Sequence, residues 1–138
     1  MQNKKIVITG GCGFVGSNLA NKLEQSNQVL IIDNLSNSIL EYSRYKPILE
    51  VGDAKNIEKI CNKLNFCPHI VFHLGEYSRV ETSFEDVDLV LENNRRSFSR
   101  VLKFCCALNA KLVYSGSSTK FSKKTSDYIQ SPYELSKA

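Results

Sequence analysis

At 138 residues, with 42% apolar and 23% charged side chains, the chain has the balance of one ordinary globular domain with room for one modest core. Its net charge of +4 is scattered in pairs such as Lys4-Lys5, Arg95-Arg96 and Lys123-Lys124, so the basic run that would point to nucleic acid is missing. No apolar stretch approaches the ~20 residues of a membrane span, and the polar segment from Gln2 to Lys5 after Met1 reads as neither a signal peptide nor an anchor.

The first element comes at once. Ile6, Val7 and Ile8 form a β-branched run suited to a strand buried on both faces. A glycine-rich turn follows, and then Phe14, Val15, Leu19, Ala20 and Leu23 recur at helical spacing until Gln25-Ser26-Asn27 ends the pattern. Val29 to Ile32 reads as a second strand closed by Asp33, Ile48 to Val51 as a third, Ile57 to Leu64 as a helix and Ile70 to Leu74 as a fourth strand. A long helix is expected from about Ser83 to Asn109, with Val87, Val90, Leu91, Phe98, Val101, Leu102 and Cys105 largely on one face. Leu112 to Tyr114 is the fifth strand, and a last helix opens near Ser131-Pro132. This alternation predicts an α/β fold, a Rossmann-type doubly wound parallel sheet, forming one domain over residues 1–138 that breaks off soon after the fifth strand.

Five cysteines (Cys12, Cys61, Cys67, Cys105, Cys106) make an odd count, and no pair has CxxC spacing. They read as free thiols in a reducing cytosol, with no metal site. Cys12 lies within the glycine turn, where a small side chain is needed, and reads as packing with a reactive thiol as the alternative.

That turn, Thr9-Gly10-Gly11-Cys12-Gly13-Phe14-Val15-Gly16, places glycines at 10, 13 and 16 between a strand and a helix. Gly10 permits the tight turn, Gly13 lets a pyrophosphate approach the backbone, and Gly16 allows the helix to pack closely. A helix N-terminus then meets the phosphates. Asp33, at the end of the second strand, suits a ribose 2′-hydroxyl and repels a 2′-phosphate, which favours NAD over NADP. A strand-end cap is its plainer role. The nucleotide-triphosphate loop shares the spacing of Gly11 and Gly16, but Ser17-Asn18 stands where Lys-Ser/Thr is required.

Tyr133 and Lys137, four apart on the last helix, share a face, and an ammonium beside a phenol favours the phenolate, so Tyr133 is a candidate base for a hydroxyl whose carbon loses hydride. Ser115, Ser117, Ser118 and Thr119 follow the fifth strand, where open parallel sheets bind ligands; a plain turn is the other reading.

Taken in order, Thr9 to Gly16, Asp33 to Ser38, Gly52-Asp53, His73-Leu74-Gly75 with Ser78 to Glu81, Ser115 to Ser118 and Ser131 to Lys137 resemble the extended short-chain dehydrogenase/reductase family, above all its nucleotide-sugar epimerases and dehydratases such as UDP-glucose 4-epimerase. The resemblance implies NAD held by Gly10, Gly13, Phe14, Val15 and Gly16 at the pyrophosphate turn, Asp33 and Asn34 at the adenosine ribose, Asp53 and Ala54 at the adenine edge, Leu74 and Gly75 beyond the fourth strand, and Asn94 in support. It also implies catalysis by Ser117 (or Ser118), Tyr133 as base, and Lys137 to tune Tyr133 and hold the nicotinamide ribose. Three features depart from the pattern: Gly75-Glu76 where two small residues are usual, Arg96-Ser97 after Asn94, and a short interval from Ser117 to Tyr133. Members of the family are about twice this length and bind the sugar with their second half, which is absent here. The expectation is therefore a fragment or one chain of a split epimerase or dehydratase, cytoplasmic, acting on a nucleotide sugar. An apolar face on the long helix would serve a homodimer or a second polypeptide. A stand-alone NAD-binding module without catalysis, and a remnant that binds nothing, are the alternatives.

Overall fold

The structure, a computed structural model, describes residues 1–36, 48–118 and 131–137. Within them the elements run β1 (Lys5–Thr9), α1 (Phe14–Leu23), β2 (Gln28–Asp33), β3 (Ile48–Val51), α2 (Ile57–Lys63), β4 (Ile70–His73), α3 (Val87–Leu108), β5 (Lys111–Tyr114) and α4 (Pro132–Lys137), with 3-10 turns at Ala54–Asn56 and Glu81–Phe84. Asn37, Ser38, Thr119 and the Lys123-Lys124 pair lie outside the described residues.

All strand pairs are parallel, and the order across the sheet is β3-β2-β1-β4-β5. The order reverses between β1 and β4, so the chain builds outward in both directions from β1 and leaves a crevice at the carboxyl ends of those two strands. Register aligns Thr9 with Ile32 on one side and His73 on the other.

Alternate residues of each strand serve opposite cores, as the pleat requires. Val7, Leu30, Ile32 and Val71 pack with Ile57, Ile60 and Cys61 of α2 and Val101, Phe104 and Cys105 of α3. Ile6, Ile8, Val29 and Ile31 pack with Ala20, Leu19 and Leu23 of α1. Each such aliphatic side chain contributes about 1.5–3 kcal/mol on burial, so the doubly covered sheet is the rigid base under the loops.

The long helix begins at Val87, later than the start expected near Ser83. Glu81–Phe84 is a separate 3-10 turn, and Asp86, with φ −143° and ψ 77°, breaks the chain before capping α3 through Leu89 N–H at 3.0 Å. Its other end is Asn109, left-handed at φ 52°. The apolar stripe expected on the surface of this helix is instead largely its inner face, because Val90, Val101 and Cys105 are buried, whereas Val87 and Leu102 stay exposed beside Leu89 and Leu108. Among the described residues no helix is long and apolar enough to cross a membrane.

Candidate active site

The glycine turn joins β1 to α1 under tight constraint. Gly10 has φ +69°, and a Cβ there would lie 2.6 Å from both the Cα and the N of Gly75. Neither the backbone angle nor the space admits a side chain. Gly16 is buried beneath the turn, and its Cβ would meet the Gly10 carbonyl oxygen at 2.3 Å. At Gly13, by contrast, a Cβ would meet only the Gly10 oxygen at 3.4 Å. The protein does not need that space, which lies on the wall of a cleft. No side chain caps α1 after Gly13, so its opening N–H groups suit an anion.

The cleft, about 280 Å³, lies over the carboxyl ends of β1, β2, β3 and β4. Gly10, Gly13, Asp33, Asn34, Asp53, Ala54, Leu74 and Gly75 line it, joined by Ser36, Gly52, Glu76, Tyr77, Ser78, Arg79 and Asn93. Asp33 is buried, and backbone fixes its carboxylate: Cys12 N–H donates to Oδ2 at 2.9 Å and Leu35 N–H to Oδ1 at 2.8 Å. A carboxylate has about four acceptor positions, so this anchoring is compatible with receiving ribose hydroxyls. Asp53 caps the Ala54–Asn56 turn through Lys55 N–H at 3.0 Å and pairs with Lys55 Nζ at 3.1 Å. Asn34 Oδ1 receives Ser36 N–H at 3.1 Å and the Ser36 hydroxyl at 2.8 Å, shaping the loop after β2.

Of the sequence candidates, Phe14, Val15, Gly16 and Asn94 stand apart from the cleft wall, and so do Ser117, Tyr133 and Lys137. Phe14 and Val15 project into solvent from the first turn of α1. Asn94 is fully buried in α3, where it holds the Tyr77 backbone from both sides, accepting Tyr77 N–H at 2.7 Å and donating to its carbonyl at 3.1 Å, and donates to Ser136 Oγ at 2.8 Å. It clamps the loop after β4 and α4 onto α3, while its neighbour Asn93 reaches the cleft.

α4 begins at Pro132, capped by Ser131 Oγ, which accepts Glu134 N–H at 3.1 Å. It brings Tyr133 and Lys137 beside the ends of β4 and β5, with Ser117 in the loop after β5. Lys137 Nζ donates to Glu76 Oε2 and to the Ser115 carbonyl at 3.2 Å, and sits 5.0 Å from the centre of the Tyr114 ring and 6.0 Å from that of Tyr133. Its ion-pair partner is thus Glu76, in the place where the sequence departs from small residues. The Tyr114 hydroxyl donates to Glu76 Oε1 at 3.5 Å, and His73 Nε2 lies 3.6 Å from the same oxygen. Burial alone would raise the Glu76 carboxyl; His73 and Lys137 facing it hold it below the ordinary glutamate range. Burial and then Glu76 push the Tyr114 phenol up, so it stays protonated. His73 Nδ1 meets Thr9 Oγ1 at 2.7 Å, and Thr9 Oγ1 receives Gly75 N–H at 3.2 Å, a chain that ties the glycine turn to this cluster.

Cys12 is buried, and desolvation followed by the Asp33 charge pushes its thiol up to about 11, which suits the packing role. His73 enters the sequence reading only within the family pattern and Tyr114 only as the end of a strand; their part in this cluster follows from position, at the carboxyl ends of adjacent parallel strands.

The residues fit a dinucleotide: a helix N-terminus without a side-chain cap, a turn whose Gly13 leaves room on the ligand side, and a fixed carboxylate across the cleft. Comparison with known proteins agrees. The chain is similar to an epimerase from Methanothermobacter thermautotrophicus (TM-score 0.86, 29% identity, covering 99% of this chain and 45% of that one). It is also similar to a UDP-N-acetylglucosamine 4-epimerase from Methanobrevibacter ruminantium M1 in complex with UDP-N-acetylmuramic acid (TM-score 0.83, 28% identity, covering 99% and 48%). A UDP-glucose 4-epimerase from Brucella ovis in complex with NAD shares the fold (TM-score 0.81, 22% identity, covering 99% and 45%). The chain thus spans less than half the length of these solved structures. The sequence model of the NAD dependent epimerase/dehydratase family matches residues 6–138, and the chain belongs to that family.

Proposed function

We propose that this chain is the dinucleotide-binding part of an NAD-dependent nucleotide-sugar epimerase or dehydratase. The observation that carries the reading is the cleft itself, which sets Gly10, Gly13 and the anchored Asp33 around one space at the strand-order reversal. In this role the α1 N-terminus and the glycine turn take the pyrophosphate, Asp33 and Asn34 the adenosine ribose, and Asp53 and Ala54 the adenine edge. NAD held by these residues would supply a reversible hydride acceptor for a sugar carbon. Tyr133 takes the proton of the sugar hydroxyl at its phenol oxygen, Ser117 donates a hydrogen bond to the reacting oxygen, and Lys137 orients the nicotinamide ribose. The buried side chains of Glu76 and His73, with the half-buried Tyr114, exclude water on one side. The nucleotide sugar itself is bound by residues beyond the stretch that this chain shares with its relatives, in the same polypeptide or in another chain. Five free thiols suit a reducing, cytoplasmic setting.

One observation favours a second reading, an NAD-binding module without turnover: Lys137 is paired with Glu76. Calorimetric titration with NAD and, separately, NADP tests the shared core of both readings. Saturable binding that prefers NAD is expected, and a folded chain that binds neither overturns them. Hydride transfer from a nucleotide sugar, alone or with added partner, then selects the enzyme over the module.

A further inference from the structure

Glu76 belongs to two surroundings at once. Its side chain is 2% exposed and pairs with a Lys137 side chain that is 4% exposed, yet the residue also lines the cofactor cleft. An ammonium has three donors, and here Glu76 and the Ser115 carbonyl take two of them. The pair is flanked by β4 through His73, by β5 through Tyr114 and by α4 through Tyr133, whose ring centre is 6.0 Å from the ammonium. Any ligand that needs Lys137 must take it from a carboxylate in a largely water-free position, where removing one partner leaves the other charge uncompensated.

Resting on the dinucleotide reading above, we infer that Glu76 is a positioning residue that holds Lys137 away from the cofactor, so that dinucleotide binding is a competition for the Lys137 ammonium between ribose hydroxyls and the Glu76 carboxylate. Two consequences follow. Lys137 is shielded in the ligand-free chain, and Glu76 weakens NAD binding. A small residue at this position would release the ammonium toward the cleft and Tyr133 and remove a negative charge from the cleft wall. Gln, which keeps the shape but not the charge, would do so in part. A merely structural Glu76 predicts the opposite sign, because losing it would loosen the loop and weaken binding.

The test uses the full chain, with Glu76→Ala and Glu76→Gln beside the parent and folding checked by circular dichroism; if the alanine variant fails to fold, the glutamine variant is read in its place. In the ligand-free proteins, acetylation of Lys137 by acetic anhydride, followed by mass spectrometry, is expected to be several-fold faster in the variants. NAD titrated by calorimetry is expected to bind Glu76→Ala about tenfold more tightly than the parent, a shift of about 1.4 kcal/mol. Equal acetylation overturns the inference while NAD binding by the parent leaves the cofactor reading standing. Faster acetylation with equal or weaker NAD binding overturns the competition alone. No NAD binding by any folded form overturns the cofactor reading and the competition with it.

Discussion

Asp33 is held by two backbone amides, one from the glycine turn and one from its own loop, so its carboxylate is a fixed feature of the cleft. Asp33→Ala is expected to weaken NAD binding by about 1.5–3 kcal/mol, the scale of a hydrogen bond to a charged group, and to reduce or erase the preference over NADP. Parallel titrations of parent and variant check this, and an equal loss for both dinucleotides would sink the ribose assignment. The cysteines give a second residue-level expectation. Burial pushes the Cys12, Cys61 and Cys105 thiols up to about 11, 12 and 11, while Cys67 and Cys106 are exposed. Iodoacetamide at pH 8 should therefore modify Cys67 and Cys106 in the native chain and the other three only after denaturation, as mass spectrometry would show. At this scale the sequence was informative where chemistry is tied to local offsets: Gly10, Gly13 and Asp33 can be placed because the glycines lie between a strand and a helix and the aspartate ends the next strand. The Glu76–Lys137 pair was not legible, because it joins residues 61 apart and depends on how β5 and α4 return to the sheet.

Among the elements, the β1–α1 turn has the least tolerance. Gly10→Ala must adopt a left-handed backbone and also displace Gly75, where its Cβ would come within 2.6 Å of backbone atoms. A cost of about 2–4 kcal/mol is expected from the sum of backbone strain and overpacking, read as a lower urea midpoint with unchanged slope. A variant as stable as the parent would show that the turn can relax. The strands are recognisable to within a residue at each end because β-branched runs such as Ile6-Val7-Ile8 are buried on both faces. The start expected for α3, at about Ser83, is about four residues early, because local hydrogen bonding makes Glu81–Phe84 a separate 3-10 turn and Asp86 the cap. The same helix shows why an apolar stripe alone does not reveal a surface: Val90, Val101 and Cys105 face the protein interior.

For the molecule as a whole, the buried ion pair makes stability depend on pH. The folded Glu76 carboxyl titrates below the ordinary glutamate value, so on acidification the unfolded chain takes up its proton first. The stabilisation is therefore complete above the ordinary glutamate range and is lost as pH falls through that range to the folded value. Thermal melting from pH 7 down to pH 3 should show the parent more stable than Glu76→Gln at neutrality, with the difference narrowing in acid. No difference at any pH would mean that Glu76 stabilises by shape alone. α4 is the element that should respond most, since Lys137 and Ser136 are its polar links to Glu76 and Asn94.

The pairing of β1 with β4 has a further consequence, for the order in which the molecule is assembled. Thr9 and His73 meet across 64 residues of chain, and Gly10 is backed by Gly75. During synthesis the glycine loop emerges early and waits, without the floor that shapes it, until the fourth strand is available. Its final geometry is then a late, long-range event with a large loop-closure cost. In pulse-labelled hydrogen exchange during refolding, the amides of the hydrogen-bonded β1–β2 pair would become protected before the Leu74 amide that docks on Thr9, so a folded-looking β1–β2–α1 core would precede competence to bind.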